Sequence, residues 1–199
     1  MVTAKLYIEG GGDSKDLVPR FREAWSEFFK SAGLGGHMPK IVRGGGRDRT
    51  FGRFTIAIAN PRPKTVPLLL VDSEDPIKTG PSVWQHLKAR DGWNKPSGAS
   101  ENDAFLMVQA METWFLADRD TLRNYFGAQF AENALRQWPE LEAVPKQTVF
   151  DALDRATARC QKGYAKGKVS FELLARVDPA RVEAACPHAK ALLDRLKSL

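Results

Sequence analysis

The chain has 199 residues and a formal net charge of +6, and 43% of its residues are apolar. This length and composition fit one domain with a buried core, and the charge favours a polyanionic partner. No stretch approaches the roughly 20 apolar residues that span a bilayer, and residues 1–5 lack the apolar segment of a secretory signal. Cys160 and Cys186 are too few for a disulfide framework, so we expect a cytoplasmic protein.

In chain order, the first 118 residues alternate between short apolar runs and segments with apolar residues at helical spacing. The runs predict strands at residues 5–8, 39–42, 68–72 and 104–108. The helical spacing predicts helices at residues 13–30, 49–59, 81–90 and 109–117. This alternation is typical of an α/β fold with a mostly parallel sheet of about four strands flanked by helices.

The remaining residues are mostly helical in pattern. Helices are predicted at residues 119–126, 132–137, 148–160, 170–175 and 179–197. We expect residues 119–199 to form a helical C-terminal extension that packs on a core of residues 1–118. The whole chain would then be a single compact domain.

Two acidic clusters directly follow predicted strands. Glu9 and Asp13 flank three glycines after the first strand, and Asp72 and Glu74 follow the apolar run of the third. Because ligands collect beyond the carboxyl ends of parallel strands, these carboxylates should converge on one crevice if the strands are neighbours. Like charges at close range need a cation or raised pKa values, and oxygen ligands without nearby His or Cys favour Mg²⁺ or Mn²⁺. A helix-capping role is the alternative for Asp13.

A further carboxylate, Glu112, lies early in the helix predicted after the fourth strand. There it either interacts favourably with the helix dipole or adds a ligand or water-orienting group to the crevice. The sequence leaves these two roles open.

Two basic segments are candidates for phosphate binding. Arg43 and Arg47 flank three glycines before a predicted helix, where backbone N–H groups and arginines can cradle phosphate. Residues 155–168 contain five basic residues and no acidic one, which makes Lys166 and Lys168 candidates for contacts to backbone phosphates or to transition-state charge. A solvated turn and a solvated basic face are the respective alternatives.

These motifs resemble the Toprim fold, through Glu9-Gly-x-x-Asp13 after the first strand and Asp72-Ser-Glu74 after the third. More narrowly, the chain is similar to small Toprim-like proteins of the DUF4276 family, which are related to the nuclease half of OLD-type systems. Residues 108–118 resemble that family's segment after its fourth strand. The resemblance implies a Rossmann-like core, a metal held by Glu9, Asp72 and Glu74, and an ATPase partner in a defence or repair system.

The sequence and the resemblance together predict a Mg²⁺-dependent nuclease acting on nucleic acid. Glu9 would be a metal ligand and general base, and Asp72 and Glu74 would hold the metal. Asp13 and Glu112 would assist them. The phosphate would be bound by Arg43, Arg47, Lys166 and Lys168, with Lys166 also counted among the catalytic residues.

Two departures from the family pattern keep other functions open. Asp13 stands where related nucleases usually carry Glu, and Glu74 stands where they usually carry Asp. One alternative is a non-catalytic module that binds nucleic acid or an ATPase and has a degenerate metal site. Another is a phosphotransfer enzyme for nucleotides or small phosphates, which salt would affect little, whereas salt weakens polynucleotide binding steeply.

Overall fold

The computed structural model describes residues 2–10, 16–77 and 80–199. The strands are β1 (Thr3–Glu9), β2 (Lys40–Gly45), β3 (Thr65–Asp72) and β4 (Ala104–Met107). The α-helices are α1 (Leu17–Phe29), α2 (Arg47–Ala59), α3 (Val83–Asp91), α4 (Thr113–Ala117), α5 (Arg119–Phe126), α6 (Lys146–Thr157), α7 (Lys168–Leu174), α8 (Pro179–Ala185) and α9 (Pro187–Lys197). None of these helices is long and apolar enough to cross a membrane.

The four strands form one sheet in the order β2-β1-β3-β4, and every neighbouring pair is parallel. The predicted α/β fold is therefore confirmed. Since all four strands run in the same direction, their carboxyl ends lie at a single edge of the sheet. Gly10 extends this edge through an isolated bridge to Gly45.

Helices cover both faces of the sheet, which explains why Leu68 to Val71 are apolar throughout and fully buried. Successive residues of a strand point to opposite faces. Leu68 and Leu70 join a core cluster with α1 and the helices after residue 113, whereas Leu69 and Val71 join a second cluster with α2 and α3. Residues on both sides of position 118 therefore contribute to the first cluster.

Three predicted helices differ clearly from those of the structure. Residues 109–112 do not join α4, because Met111 donates its N–H to Asp72 Oδ1 (3.1 Å) and the Gln109 carbonyl accepts from Glu74 N (2.9 Å). Residues 179–197 form two helices rather than one, since Pro187 begins α9 and restricts the backbone of the residue before it. Residues 132–137 contain only a short 3-10 turn, Glu132–Ala134.

The glycine-rich segment 43–47 is part of the regular structure rather than a solvated turn. Gly44 and Gly45 end β2, and α2 begins at Arg47, two residues earlier than predicted. A Cβ at Gly44 would lie 1.9 Å from Thr50 Oγ1, and Gly45 has a φ of 81°. These glycines therefore allow the first turn of α2 to lie against the end of β2.

This packing predicts opposite effects for two glycine substitutions near α2. We expect Gly44→Ala to lower the free energy of unfolding by about 1–3 kcal/mol, because the added methyl group overlaps Thr50. Gly52→Ala should raise it by about 0.5–1 kcal/mol, because Gly52 lies inside α2 with no atom near the added group. Urea denaturation of both variants would measure the difference, and equal effects would contradict the packing described here.

Candidate metal centre

Four carboxylate side chains lie together at the carboxyl edge of the sheet. Glu9 ends β1, Asp72 ends β3, Glu74 follows two residues later, and Glu112 precedes α4. All four line one cavity of about 420 Å³. Asp13, the fifth predicted member of this group, lies outside the described residues.

Asp72 is at the centre of this group. Its Oδ1 accepts the N–H of Met111, and its Oδ2 lies 3.8 Å from Lys146 Nζ. Burial, and then the negative charges of Glu9 and Glu112, raise the pKa of Asp72 to about 8, although Lys146 acts in the opposite direction. Burial and the neighbouring carboxylates thus oppose the ionisation of Asp72 more strongly than Lys146 favours it.

Arg47 holds Glu9 in place. Its Nη1 donates to Glu9 Oε2 (3.0 Å) and to the carbonyl oxygen of Asp72 (2.5 Å), and its Nε and Nη2 donate to the two carboxylate oxygens of Asp91 (2.9 and 2.7 Å). The guanidinium also lies over the ring of Trp93, with 4.9 Å between its carbon and the ring centroid. These contacts indicate that Arg47 orients Glu9; its predicted contact with phosphate stays a prediction.

The pKa of Glu9 is raised by burial, even though the charge of Arg47 lowers it. The side chain of Glu9 is only 15% exposed, and its Oε2 also accepts the N–H of Asp72 (3.2 Å). Two donors thus fix one oxygen of this carboxylate. A carboxylate with a raised pKa, fixed at the cavity wall, has the properties of a general base.

Lys146 is a member of the site that the sequence analysis missed. It begins α6, its Nζ lies 2.5 Å from Glu74 Oε2, and its N–H donates to Gln109 Oε1 (3.0 Å). Glu74 itself has a φ of 64°, a left-handed conformation that costs energy in a residue other than glycine. The one local signal for Lys146 is a positive charge in the first turn of a helix, where the dipole disfavours it.

Glu112 is 4% exposed and is held by the segment between α6 and α7 and by α7 itself. Tyr164 donates its hydroxyl to Glu112 Oε1 (2.9 Å), and the same hydroxyl lies 3.0 Å from Ser170 Oγ. Burial, and then the charge of Glu112, raise the pKa of Tyr164 well above its usual range. Tyr164 therefore stays protonated and remains a hydrogen-bond donor to this carboxylate.

The three other predicted phosphate-binding residues occupy different places. Lys166 lines the carboxylate cavity, with its Nζ 4.4 Å from the centroid of the Phe150 ring. The Nζ of Lys168 lies 4.0 Å from Glu172 Oε1. Arg43 lies on β2 in register with Ile8 of β1. Among the described residues that line the carboxylate cavity, Lys166 is present and Lys168 and Arg43 are not.

The carboxylates suit a divalent cation by their chemistry but not in their present spacing. Across residues 2–10, 16–77 and 80–199, no three His, Cys, Asp or Glu side chains are arranged so that they could hold a metal ion. The Lys146 ammonium lies between Asp72 and Glu74, where a cation shared by these two residues would sit. A metal bound there would require Lys146 to move away.

A larger cleft of about 840 Å³ lies beside α8 and α9. Its wall includes Glu142 and His188, which form a hydrogen bond between His188 Nδ1 and Glu142 Oε2 (2.6 Å). Glu142 also accepts the N–H of His188 (3.1 Å), so it caps the start of α9. This cleft contains none of the four clustered carboxylates, and the candidate chemistry remains in the smaller cavity.

Comparison with known proteins finds a family model that covers most of the chain. A family model described as "Domain of unknown function (DUF4276)" matches residues 8–197. The matched range includes Glu9, Asp72, Glu74 and Glu112, as well as Lys146. No curated protein and no solved structure matches the chain.

Proposed function

Because the chain belongs to the DUF4276 family, whose description names no activity, we propose a function from the site itself: a metal-dependent phosphodiesterase that acts on nucleic acid. The observation that supports this most is the convergence of Glu9, Asp72, Glu74 and Glu112 in one cavity. A divalent cation would offset the burial and the neighbouring charges of Glu9 and Glu112 that together raise the pKa of Asp72. Carboxylate oxygens favour Mg²⁺ or Mn²⁺ for this role.

The residues divide the work of phosphodiester hydrolysis between them. Asp72 and Glu74 would hold the cation, which when bound supplies Lewis-acid polarisation of the phosphate and an activated water. Glu9, fixed by Arg47, would accept the proton of the attacking water as its oxygen bonds to phosphorus. The bond from phosphorus to the leaving sugar oxygen would break, and that oxygen would take a proton from solvent. Lys146, released from Glu74, would stabilise the negative charge that develops on the phosphate.

Two neighbouring residues would support this arrangement. Lys166 lies at the cavity wall and would bind a phosphate oxygen of the substrate. Glu112, held by Tyr164, would add negative charge near Asp72 and orient water. Both assignments depend on the substrate phosphate entering this cavity.

The relationship to Toprim and OLD-type nucleases is part of the proposal. It is supported by the Glu9 and Asp72-Ser-Glu74 motifs and by their position after two adjacent parallel strands. An ATPase partner rests on the sequence resemblance alone. A role in defence or repair rests on the same resemblance.

A second candidate is a non-catalytic module that binds nucleic acid or an ATPase. The observation that favours it is that Arg47 and Lys146 already neutralise Glu9 and Glu74 without a metal. In such a module the ion pairs would be the final state of the site, and no cation would displace Lys146.

A cleavage assay separates the two candidates. Purified protein would be incubated with single- and double-stranded DNA and RNA in Mg²⁺, Mn²⁺ or EDTA, beside a Glu9→Gln/Asp72→Asn variant. We expect cleavage that requires the metal and falls by at least about 100-fold in the variant, because both a proton acceptor and a ligand are lost. Binding without cleavage under every condition would favour the non-catalytic module, and equal cleavage by the variant would exclude this site.

A further inference from the structure

A second charged feature adjoins the carboxylate cavity along the interface between α1 and α7. A groove of about 260 Å³ there is lined by Arg20 and Glu23 of α1 and by Glu172 and Arg176 in and after α7. Phe171 lines both this groove and the carboxylate cavity. The two sites are therefore neighbours.

The charged residues that line this groove balance one another, and positive charge exceeds negative charge once the two lysines that contact Glu172 are included. The Glu172 carboxylate forms ion pairs with Lys162 Nζ (2.5 Å), Arg20 Nη1 (3.4 Å) and Lys168 Nζ (4.0 Å). The guanidinium of Arg176 lies 5.1 Å from the centroid of the Tyr125 ring, and the Tyr125 hydroxyl donates to Glu172. The four cations and two carboxylates, Glu172 and Glu23, leave a surplus of two positive charges. We call this set, Arg20, Glu23, Lys162, Lys168, Glu172 and Arg176, the basic groove.

The cations remain accessible to a further partner. The side chains of Arg20, Lys162 and Lys168 are 42%, 47% and 56% exposed, whereas Glu172 is 21% exposed. Ion pairs this exposed contribute little to folding. The surplus cations thus face solvent, with one carboxylate beneath them that keeps three of them together.

Building on the proposed function, we infer that the basic groove binds the sugar–phosphate backbone of the same nucleic-acid strand whose reacting phosphate enters the carboxylate cavity. Lys166 lines the cavity, and Lys168, two residues later, belongs to the groove, so cations continue from one site to the other. A row of cations beside the site of cleavage suits a polyanion that extends beyond the reacting phosphate. Such contacts position the strand without reading its sequence.

The test compares a groove variant with a control that has the same change in charge. The groove variant is Arg20→Ala/Arg176→Ala, which leaves the carboxylate cavity unaltered. The control is Lys40→Ala/Arg62→Ala, whose residues are exposed and lie at or before the amino ends of β2 and β3, away from the carboxylates. Binding of a fluorescently labelled single-stranded oligonucleotide would be measured by anisotropy in Ca²⁺ across a range of salt concentrations.

We expect the groove variant to bind about 10-fold more weakly at low salt and the control to change less than about 2-fold. The slope of log affinity against log salt should fall by about 1.4 in the groove variant, since two phosphate contacts to a single strand are lost. Hydrolysis of bis(p-nitrophenyl) phosphate with Mn²⁺ should stay unchanged, because this small diester does not reach the groove. Arg20→Lys/Arg176→Lys should restore most of the affinity.

Each other outcome is informative. Equal affinity and slope in the wild type and the groove variant, with hydrolysis of the small diester intact, would overturn the groove and leave the proposed function standing. Binding to anionic lipid vesicles would be measured beside these assays. If the groove variant kept its affinity for the oligonucleotide but lost a vesicle binding that the wild type shows, the groove would be a membrane contact and the inference would be overturned. A wild-type protein that neither binds the oligonucleotide nor hydrolyses the diester would overturn the proposed function, and the groove with it.

Discussion

Replacing Arg47 by Ala should lower the free energy of unfolding by about 3–5 kcal/mol, the cost of leaving partly buried carboxylates without their cation. The Arg47 side chain is 14% exposed, and its partners Glu9 and Asp91 are 15% and 8% exposed. Its guanidinium joins β1, the end of β3 and the end of α3 through hydrogen bonds. Truncation would remove all of these bonds and the contact with Trp93 together.

The matched control for this substitution is Arg53→Ala. Arg53 lies on the same helix and donates one exposed hydrogen bond to the Arg43 carbonyl (2.9 Å). Its loss should change the free energy of unfolding by no more than about 0.5 kcal/mol. The loss in the free energy of unfolding for Arg47→Lys should lie between those for Arg47→Ala and Arg53→Ala, because lysine keeps the charge and loses the paired hydrogen bonds to Asp91. Urea denaturation measures all three, and similar losses for Arg47→Ala and Arg53→Ala would show that the ion pairs add little.

Local sequence patterns predict most of the architecture of this chain. The uninterrupted apolar run from Leu68 to Val71 predicts a strand buried on both faces, and helices indeed cover both faces of β3. The acidic residues that follow the predicted strands mark the edge at which the structure places Glu9 and Asp72 together. Periodicity and turn residues are sufficient for these inferences, because each depends on neighbours in the sequence.

The parts of the site that the sequence does not reveal depend on distant contacts. Lys146 pairs with Glu74 across 72 positions of the chain, and no spacing rule links them. The glycines between Arg43 and Arg47 resemble a phosphate-binding turn, but Gly44 is required by the side chain of Thr50. A glycine in the sequence can indicate that another group approaches the backbone closely, but only the structure identifies the atoms that do so.

The substitution Asp72→Asn should separate stability from function. It is expected to raise the free energy of unfolding and to remove metal-dependent cleavage. The pKa of Asp72 is about 8 in the folded protein, against an ordinary value of 3.8, chiefly through burial. Folding therefore takes up a proton between these values. The stability that Asp72 contributes is complete below pH 3.8 and is lost as the pH rises through 8. Asparagine does not titrate and keeps an oxygen that can accept the N–H of Met111.

In EDTA, the free energy of unfolding of Asp72→Asn minus that of the wild type should rise with pH between about 4 and 8 and level off above 8. The limiting slope is about 1.4 kcal/mol per pH unit. Asp91→Asn is the control with the opposite sign: Arg47 lowers the pKa of Asp91 although burial would raise it, so this variant should be less stable than the wild type over the same range. A flat difference for Asp72→Asn would show that Asp72 is ionised at little cost.

Adding Mn²⁺ completes the comparison for Asp72. A cation that binds only the folded protein stabilises it, so Mn²⁺ should raise the thermal midpoint of the wild type at pH 8.5 and leave that of Asp72→Asn unchanged. The same variant should lose metal-dependent cleavage. If Asp72→Asn were more stable yet retained cleavage and the response to Mn²⁺, the negative charge of Asp72 would be a structural burden without a catalytic use. If all three expected effects appeared together, the energetic cost of placing Asp72 beside Glu9 and Glu112 would be explained by the cation that this placement binds.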